Sequence, residues 1–206
     1  MSFLVAVCGG SCSGKSTLAA TVLRSLGSET ATLLAFDAYY CDQSSLPPEK
    51  RAEVNYDHPD SLDVELFAQH LAMLSNDEPI ESPIYDFATH TRLPETRRIE
   101  PAPVVIVDGI LLLSDERLVS QFDMRIFREC PEDVRLDRRI ERDVLERGRT
   151  EASVRKQFAA TVKPMHDTYV SPSAIHADVI FEHARIQVHQ AAELVVEEIQ
   201  RALARV

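Results

Sequence analysis

No apolar run in this chain approaches the roughly 20 residues that a membrane-spanning helix requires, so no span and no membrane partner are expected. The short apolar run Phe3 to Cys8 has no basic segment before it and reads as a buried strand, not as a secretion signal. The four cysteines, Cys8, Cys12, Cys41 and Cys130, show no metal-ligand spacing. Cys8 and Cys12 flank a glycine-rich loop where a disulfide would have little use, so reduced thiols and a cytoplasmic setting are expected. Internal repeats, low-complexity tracts and long linkers are absent. Lysine is scarce, with 4 against 18 arginines, and the net charge of −11 disfavours non-specific binding to nucleic acid. The cations are also unevenly placed: eight of the arginines fall between Arg125 and Arg149. An acidic chain with one arginine-dense stretch points to a local anion site, because a guanidinium makes planar two-pronged contacts to phosphate.

What is present fits one compact α/β domain over residues 1–206, since 45% of the residues are hydrophobic and 27% charged. Apolar runs at Phe3–Val7, Ala31–Phe36, Val104–Val107, Met124–Phe127 and Val179–Phe181 alternate with helical patterns. Continuous apolar strands between helices predict a parallel sheet with helices on both faces. Residues 79–103 break the alternation and hold five of the eleven prolines. Pro83–Phe87 and Thr96–Glu100 are predicted to form a β-hairpin that projects from the sheet, and Pro-bounded insertions of this length are more often functional than idle. The tail, Ile186 to Val206, is predicted to be an amphipathic helix packed on the sheet.

Gly9-Gly10-Ser11-Cys12-Ser13-Gly14-Lys15-Ser16 matches G-x-x-x-x-G-K-[ST], and Thr17 follows it. The strand before it and the helix Thr17–Leu26 after it supply the context the motif needs. Glycines let backbone N–H groups close around phosphate oxygens, and the helix N-terminus favours negative charge. Lys15 can reach the β- and γ-phosphates, and the Ser16 hydroxyl can ligate Mg²⁺. Asp37 and Asp108 each follow a predicted strand at its C-terminal end, where open α/β sheets bind ligands. One carboxylate can hold Mg²⁺ while the other takes a proton from an attacking hydroxyl. An N-cap or turn role for either alone is the bland alternative.

Asp133–Gly148 reads as a helix with Arg135, Arg138, Arg139 and Arg142 on one face. Leu136, Ile140 and Val144 lie on roughly the opposite face. The expectation is that the apolar side docks and the other presents guanidiniums as a lid, residues 131–157, over a transferring phosphoryl group. The alternative is a solvated face, with the seven acids of the same stretch pairing with arginine. Asn55–Asp60 is a polar turn by itself, and Tyr85–His90 could be no more than a small hairpin core.

Taken together in this order, these segments resemble the uridine kinase (uridine-cytidine kinase) family of phosphate-loop kinases. The resemblance runs from residue 4 to about 180, through Gly9–Thr17, Asp37-Ala-Tyr-Tyr40, Asn55-Tyr-Asp-His-Pro-Asp60, Pro83-Ile-Tyr-Asp-Phe87 with His90-Thr-Arg92, Asp108-Gly-Ile-Leu-Leu112, and Arg138–Asp143 with Glu146-Arg-Gly-Arg149. It implies a P-loop NTPase-type sheet with a projecting hairpin and an Arg-rich lid. It also implies transfer of a phosphoryl group from ATP, with GTP as another donor, to the 5′-hydroxyl of uridine or cytidine in pyrimidine salvage. By the same resemblance Asp37 is the base, with Lys15, Arg142 and Arg147 at the reacting phosphates. Ser16, Asp37 and Asp108 hold Mg²⁺. Gly9 to Thr17, Arg147 and Arg149 bind the nucleotide. Tyr40, Asp57, Tyr85, Phe87, His90, Ile110, Arg139, Arg142 and Gln157 bind the nucleoside, Asp57 at the ribose and Tyr85, Phe87 and His90 at the pyrimidine. The family further implies a homo-oligomer. Three positions depart from its pattern: Asp108 stands where glutamate is usual, Cys41 where a basic residue is common, and Glu182-His-Ala-Arg185 replaces a Pro-Arg-Gly-Gly-like segment. A phosphoribulokinase- or pantothenate kinase-like enzyme, or a nucleotide-binding regulatory module, are the alternative readings.

Overall fold

A computed structural model describes residues 1–51 and 53–205. Its strands are β1 (Phe3–Gly9), β2 (Ala31–Ala35), β3 (Ile80–Asp86), β4 (Thr91–Ile99), β5 (Val104–Asp108), β6 (Met124–Glu129) and β7 (Val179–Glu182). Its α-helical segments are α1 (Lys15–Leu26), α2 (Pro48–Arg51), α3 (Val64–Ser75), α4 (Glu116–Val119), α5 (Glu132–Arg147), α6 (Glu151–Gln157), α7 (Lys163–Met165) and α8 (Val188–Leu203). Five strands form a parallel sheet in the order β2-β5-β1-β6-β7. The chain fills one side of β1 with β2 and β5, then crosses to the other side with β6. The crevice at that switch lies beyond the C-terminal end of β1, where the glycine-rich loop begins.

The period of two along β1 explains why both faces are covered. Leu4, Ala6 and Cys8 join Leu34, Phe67, Leu71, Val105, Val107 and Phe127 in one core. Val5 and Val7 join Leu18, Val22, Ile106, Ile126, Val195 and Ile199 in the other, beneath α1 and α8. The second predicted strand ends one residue early, because Phe36 opens the 3₁₀ turn Phe36–Tyr39 that carries Asp37. The hairpin is longer than its apolar residues suggest, running Ile80–Asp86 against Thr91–Ile99 with a bulge between Pro83 and Tyr85. No described helix is long and apolar enough to cross a membrane, and the four cysteines are free thiols.

Beyond α6 the helical run widens twice, into π-turns at Phe158–Val162 and His166–Val170, with α7 between them. Pro164, which has no N–H to donate, sits between the two. This run leans on the glycine-rich loop. A Cβ on Gly10 would stand 2.8 Å from Arg135 Nη1 and 3.0 Å from His166 Cε1, so a larger residue there would have to push these side chains aside. His166 Nδ1 is buried with no hydrogen-bond partner. Burial, and then the Arg135 charge, hold the imidazole down from 6.5 to about 4.

Between those values the unfolded chain binds a proton that the folded chain refuses, so stability falls as pH drops through the window. At pH 5 this histidine alone costs about 2 kcal/mol relative to neutral pH. His166→Leu has no proton to refuse. Urea unfolding should show its stability relative to wild type improving by about 2 kcal/mol between pH 7.5 and pH 5. A constant difference would remove His166 from the acid response.

Candidate active site

The glycine-rich loop adopts backbone that side chains resist: φ is 146° at Gly9, 62° at Cys12 and 94° at Gly14. Ser13 N–H closes it onto the Gly10 carbonyl at 3.0 Å. α1 then opens with no side-chain cap and no acidic residue in its first turn, which leaves its first N–H groups for an anion. Ser13 Oγ is buried without a partner. Lys15 is buried with Nζ 3.9 Å from Asp108 Oδ1, and that carboxylate oxygen likewise lacks a hydrogen bond. Buried polar atoms normally find partners, so these orphans mark where a polyanion and its cation would complete the network. Among the described residues no three His, Cys, Asp or Glu side chains converge on one point. The Ser16 hydroxyl and the Asp108 carboxylate beside the loop are hard oxygen donors of the kind Mg²⁺ takes, since it is usually held by one or two carboxylates together with substrate phosphates.

β2 and β5 are neighbours with Ala35 in register with Asp108, so the turn bearing Asp37 emerges beside Asp108. Burial pushes the Asp37 carboxyl up, against the pull of Lys15, with Asp108 and Asp57 adding to the rise. Burial also raises Asp57, which Arg139, Arg142 and Lys15 oppose. Tyr40 lies beside both, since Asp37 and Asp57 reinforce the effect of burial in lifting its phenol well above 10. Asp37, Tyr40, Asp57, Lys15, Arg139 and Arg142 therefore lie within reach of one another's charge.

The hairpin supplies an aromatic wall. Tyr40 packs on Tyr85 at 5.2 Å and on Tyr56 at 5.5 Å, Tyr85 on Phe87 at 5.2 Å, and the His90 ring stacks on Tyr56 at 4.7 Å and 11°. Burial, then the charges of Arg147 and Arg149, hold the His90 imidazole below its ordinary value. Ile110 lies in the core beneath, with its carbonyl accepting from Cys8 Sγ at 3.3 Å. Arg92 of β4 locks this wall to the Asp37 turn: Nε donates to Tyr40 O at 2.7 Å, Nη2 to Tyr39 O at 3.0 Å and Nη1 to Asp63 Oδ2 at 3.1 Å.

The arginine helix departs from expectation: its buried positions are Arg135, Arg139 and Asp143, whereas Leu136 and Ile140 are only half-buried and Val144 is 40% exposed. The polar face is the docked one because it finds acceptors at the glycine-rich loop. Arg139 Nη1 donates to Ser11 Oγ at 2.9 Å and Arg135 Nε to Cys130 O at 3.1 Å. Arg138 diverges from them and reaches Cys12 O at 3.5 Å. The wholly buried carboxylate of Asp143 meets Arg139 at 3.6 Å, Arg142 at 2.8 Å, Arg147 at 3.6 Å and Arg149 at 3.5 Å. Gln157 Oε1 accepts from Arg139 at 3.1 Å and also from Arg149. Arg147 lies over the Phe87 ring, 5.5 Å from its centroid, and so joins lid to hairpin.

A model of the Phosphoribulokinase / Uridine kinase family matches residues 4–189. The chain belongs to this family of kinases. Among its relatives, a uridine kinase of Chloroflexus aurantiacus is 42% identical over 201 residues, covering 97% of this chain and 95% of the relative. A uridine kinase of Klebsiella pneumoniae is 46% identical over 181 residues, covering 86% and 85%. In architecture it is similar to phosphoribulokinase from Rhodobacter spheroides, with a TM-score of 0.66 at 14% identity over 88% of this chain and 70% of that one. It is also similar to D-glycerate 3-kinase from Cryptococcus neoformans, with a TM-score of 0.61 at 18% identity over 82% and 79%. At those identities the structural likeness speaks for the fold alone.

Sequence reasoning missed Asp143, Arg92 and Tyr56 as parts of this kinase site. The signal for Asp143 was available, since it stands four residues from both Arg139 and Arg147 on one helix. Arg92 and Tyr56 lie inside segments that carry the resemblance, but no role was assigned to them because their partners come from other segments. Asp143→Asn keeps the shape but removes the charge that four guanidiniums surround. Removing one partner of a buried ion pair costs roughly 3–5 kcal/mol. The loss should fall on the lid, so limited proteolysis should cut first within 139–157 in the variant. Cleavage as slow as in wild type would show that the arginines do not need this carboxylate.

Proposed function

We propose that the chain transfers the γ-phosphoryl group of ATP to the 5′-hydroxyl of uridine and of cytidine. The observation that carries this reading is the juxtaposition of a phosphate loop, a buried carboxylate at Asp37 and an aromatic wall suited to a flat base. The relatives that bear the name uridine kinase, at 42–46% identity, support it. The hairpin wall has no evident use for a sugar phosphate, which sets this reading above the phosphoribulokinase-like one.

In this reading the pyrimidine lies against Tyr85, Phe87 and His90, while Asp57 accepts from the ribose hydroxyls. Asp37, its carboxyl raised by burial, takes the 5′-hydroxyl proton as the oxygen attacks the γ-phosphorus. The bond from phosphorus to the β–γ bridging oxygen breaks, and ADP leaves. Lys15, Arg142 and Arg147 face the charge that spreads over the transferring oxygens. Ser16, Asp108 and Asp37 would hold Mg²⁺, which supplies further neutralisation of the phosphates. GTP belongs in the test as a second donor.

ADP release with Mg-ATP should depend on uridine or cytidine and yield the monophosphate by mass. Release without any nucleoside dependence would overturn the assignment. Asp37→Asn should lower kcat by roughly 10²–10⁴, the range for loss of a general base. Its partner prediction concerns breadth. A neutral His90 has one nitrogen that donates and one that accepts, so its tautomer can meet the oxygen of uracil or the amino group of cytosine. The two kcat/KM values should lie within about a hundredfold, or about 2.7 kcal/mol. A larger gap would exclude tautomer switching at His90.

A further inference from the structure

Arg128, on β6, is 1% exposed, yet no carboxylate pairs with it among the described residues. Taking an uncompensated guanidinium out of water costs on the order of several kcal/mol, so its hydrogen bonds need a purpose. They all go to one place. Nη2 donates to Ile186 O at 3.0 Å and lies 3.5 Å from His183 Nδ1, and Nη1 donates to Phe181 O at 3.4 Å. These groups bracket the turn 182–187, which joins β7 to α8. His183 N–H fastens the same turn to Glu129 O at 2.9 Å.

The turn leads straight into the residue that abuts the phosphate loop: Val188, at the start of α8, has Cγ2 3.7 Å from where a Cβ on Gly14 would stand, and Arg138 Nη1 is 3.9 Å from the same point. The backbone of Arg128 borders the other end of the loop. It is in register with Gly9, and its carbonyl oxygen lies 2.5 Å from a Cβ built there. Along β6 the side chain falls on the face of Met124 and Ile126, which pack beneath α1 and α8. Tyr40 and Tyr85 belong to the other core. Arg128 therefore ties the turn to the loop on the side away from the nucleoside wall.

We infer that Arg128 is a positioning residue for the phosphoryl donor, holding the turn 182–187 as the wall that faces the base and ribose of a nucleoside triphosphate whose phosphates lie in the loop. This rests on the kinase reading above and extends it to the donor side. Were Arg128 only core filling, an apolar side chain of similar length would serve equally well, because replacing buried charge by hydrophobic volume is often neutral or stabilising. Arg128→Met keeps the volume and loses the donors to the turn. Arg128→Lys keeps one ammonium on a single stem and cannot span Phe181 O and Ile186 O together.

Steady-state kinetics on wild type and both variants, with melting curves as the fold control, test the inference. For Arg128→Met the KM for ATP should rise about tenfold while the KM for uridine stays within about twofold, as loss of ground-state donor binding requires. Arg128→Lys should show a smaller rise of the same kind, and it decides the matter should the Met variant not fold. An unchanged KM for ATP, an equal rise in both KM values, or failure of both variants to fold would overturn the inference. Calorimetric titration of ATP separates it from the parent reading. Weaker ATP binding in the variants alongside a wild type that ignores uridine would sustain Arg128 and sink the acceptor assignment.

Discussion

Four guanidiniums crowd one carboxylate in this molecule. Without Asp143, Arg139, Arg142, Arg147 and Arg149 would repel one another at close range and spread into solvent, and α5 would turn its apolar side inward. With Asp143 wholly buried among them, they collect into a fan. The fan then reaches outward, from Arg139 to Ser11, from Arg149 to Gln157 and from Arg147 to the Phe87 ring. One carboxylate thus binds the lid helix to the phosphate loop, to α6 and to the hairpin. One negative charge also leaves four positive ones undercompensated, and the surplus faces the loop. The arginine helix is held in place by a carboxylate of its own, and in the proposed reading the remaining positive charge would meet the transferring phosphate.

The acids nearer the chemistry are treated differently. Asp37 and Asp57 sit where burial raises them and the cations only partly restore them. Asp143, by contrast, has four guanidiniums within ion-pair distance. In the proposed reading Asp37 must accept a proton, and a carboxylate with that task is best left less than fully compensated, so that proton transfer to it is not opposed. The difference lies in how many guanidiniums touch each oxygen, not in residue type, and all three are aspartates.

The sheet was legible because its strands are continuous apolar runs whose only competitor is a buried helix, and their lengths excluded that. The phosphate loop was legible because glycine, lysine and serine at fixed spacing have few other uses. α5 was located correctly, but its docked side was misread. Hydrophobic periodicity assumes that the apolar face is the buried one, and Leu136, Ile140 and Val144 satisfied that pattern. The rule fails where arginines find an acceptor at a loop 128 residues away in sequence and a carboxylate among themselves, since paired charges can be buried. Arg92 and Tyr56 were illegible for a related reason. Each matters through a partner brought near by the fold, Arg92 through the carbonyls of Tyr39 and Tyr40, Tyr56 through the ring of His90.

Arg92 has the widest consequence of these. Its three bonds tie the hairpin to the Asp37 turn, so in the proposed reading the wall that would meet the base and the carboxylate that would meet the hydroxyl are coupled. A base that seats poorly on Tyr85 and His90 would shift the wall, and the wall would carry Asp37 with it. Catalysis is sensitive to such shifts, because misplacement of a reacting group by about 1 Å can cost a hundredfold in rate. Discrimination among acceptors in such a site would appear in turnover as well as in binding. The lid strengthens the coupling from the other side, since Arg147 touches Phe87 and belongs to the same fan as Arg142. In the proposed reading, base recognition, the proton acceptor and the phosphate clamp would therefore be joined through two arginines, Arg92 tethering the hairpin to the Asp37 turn and Arg147 bringing the arginine helix onto it.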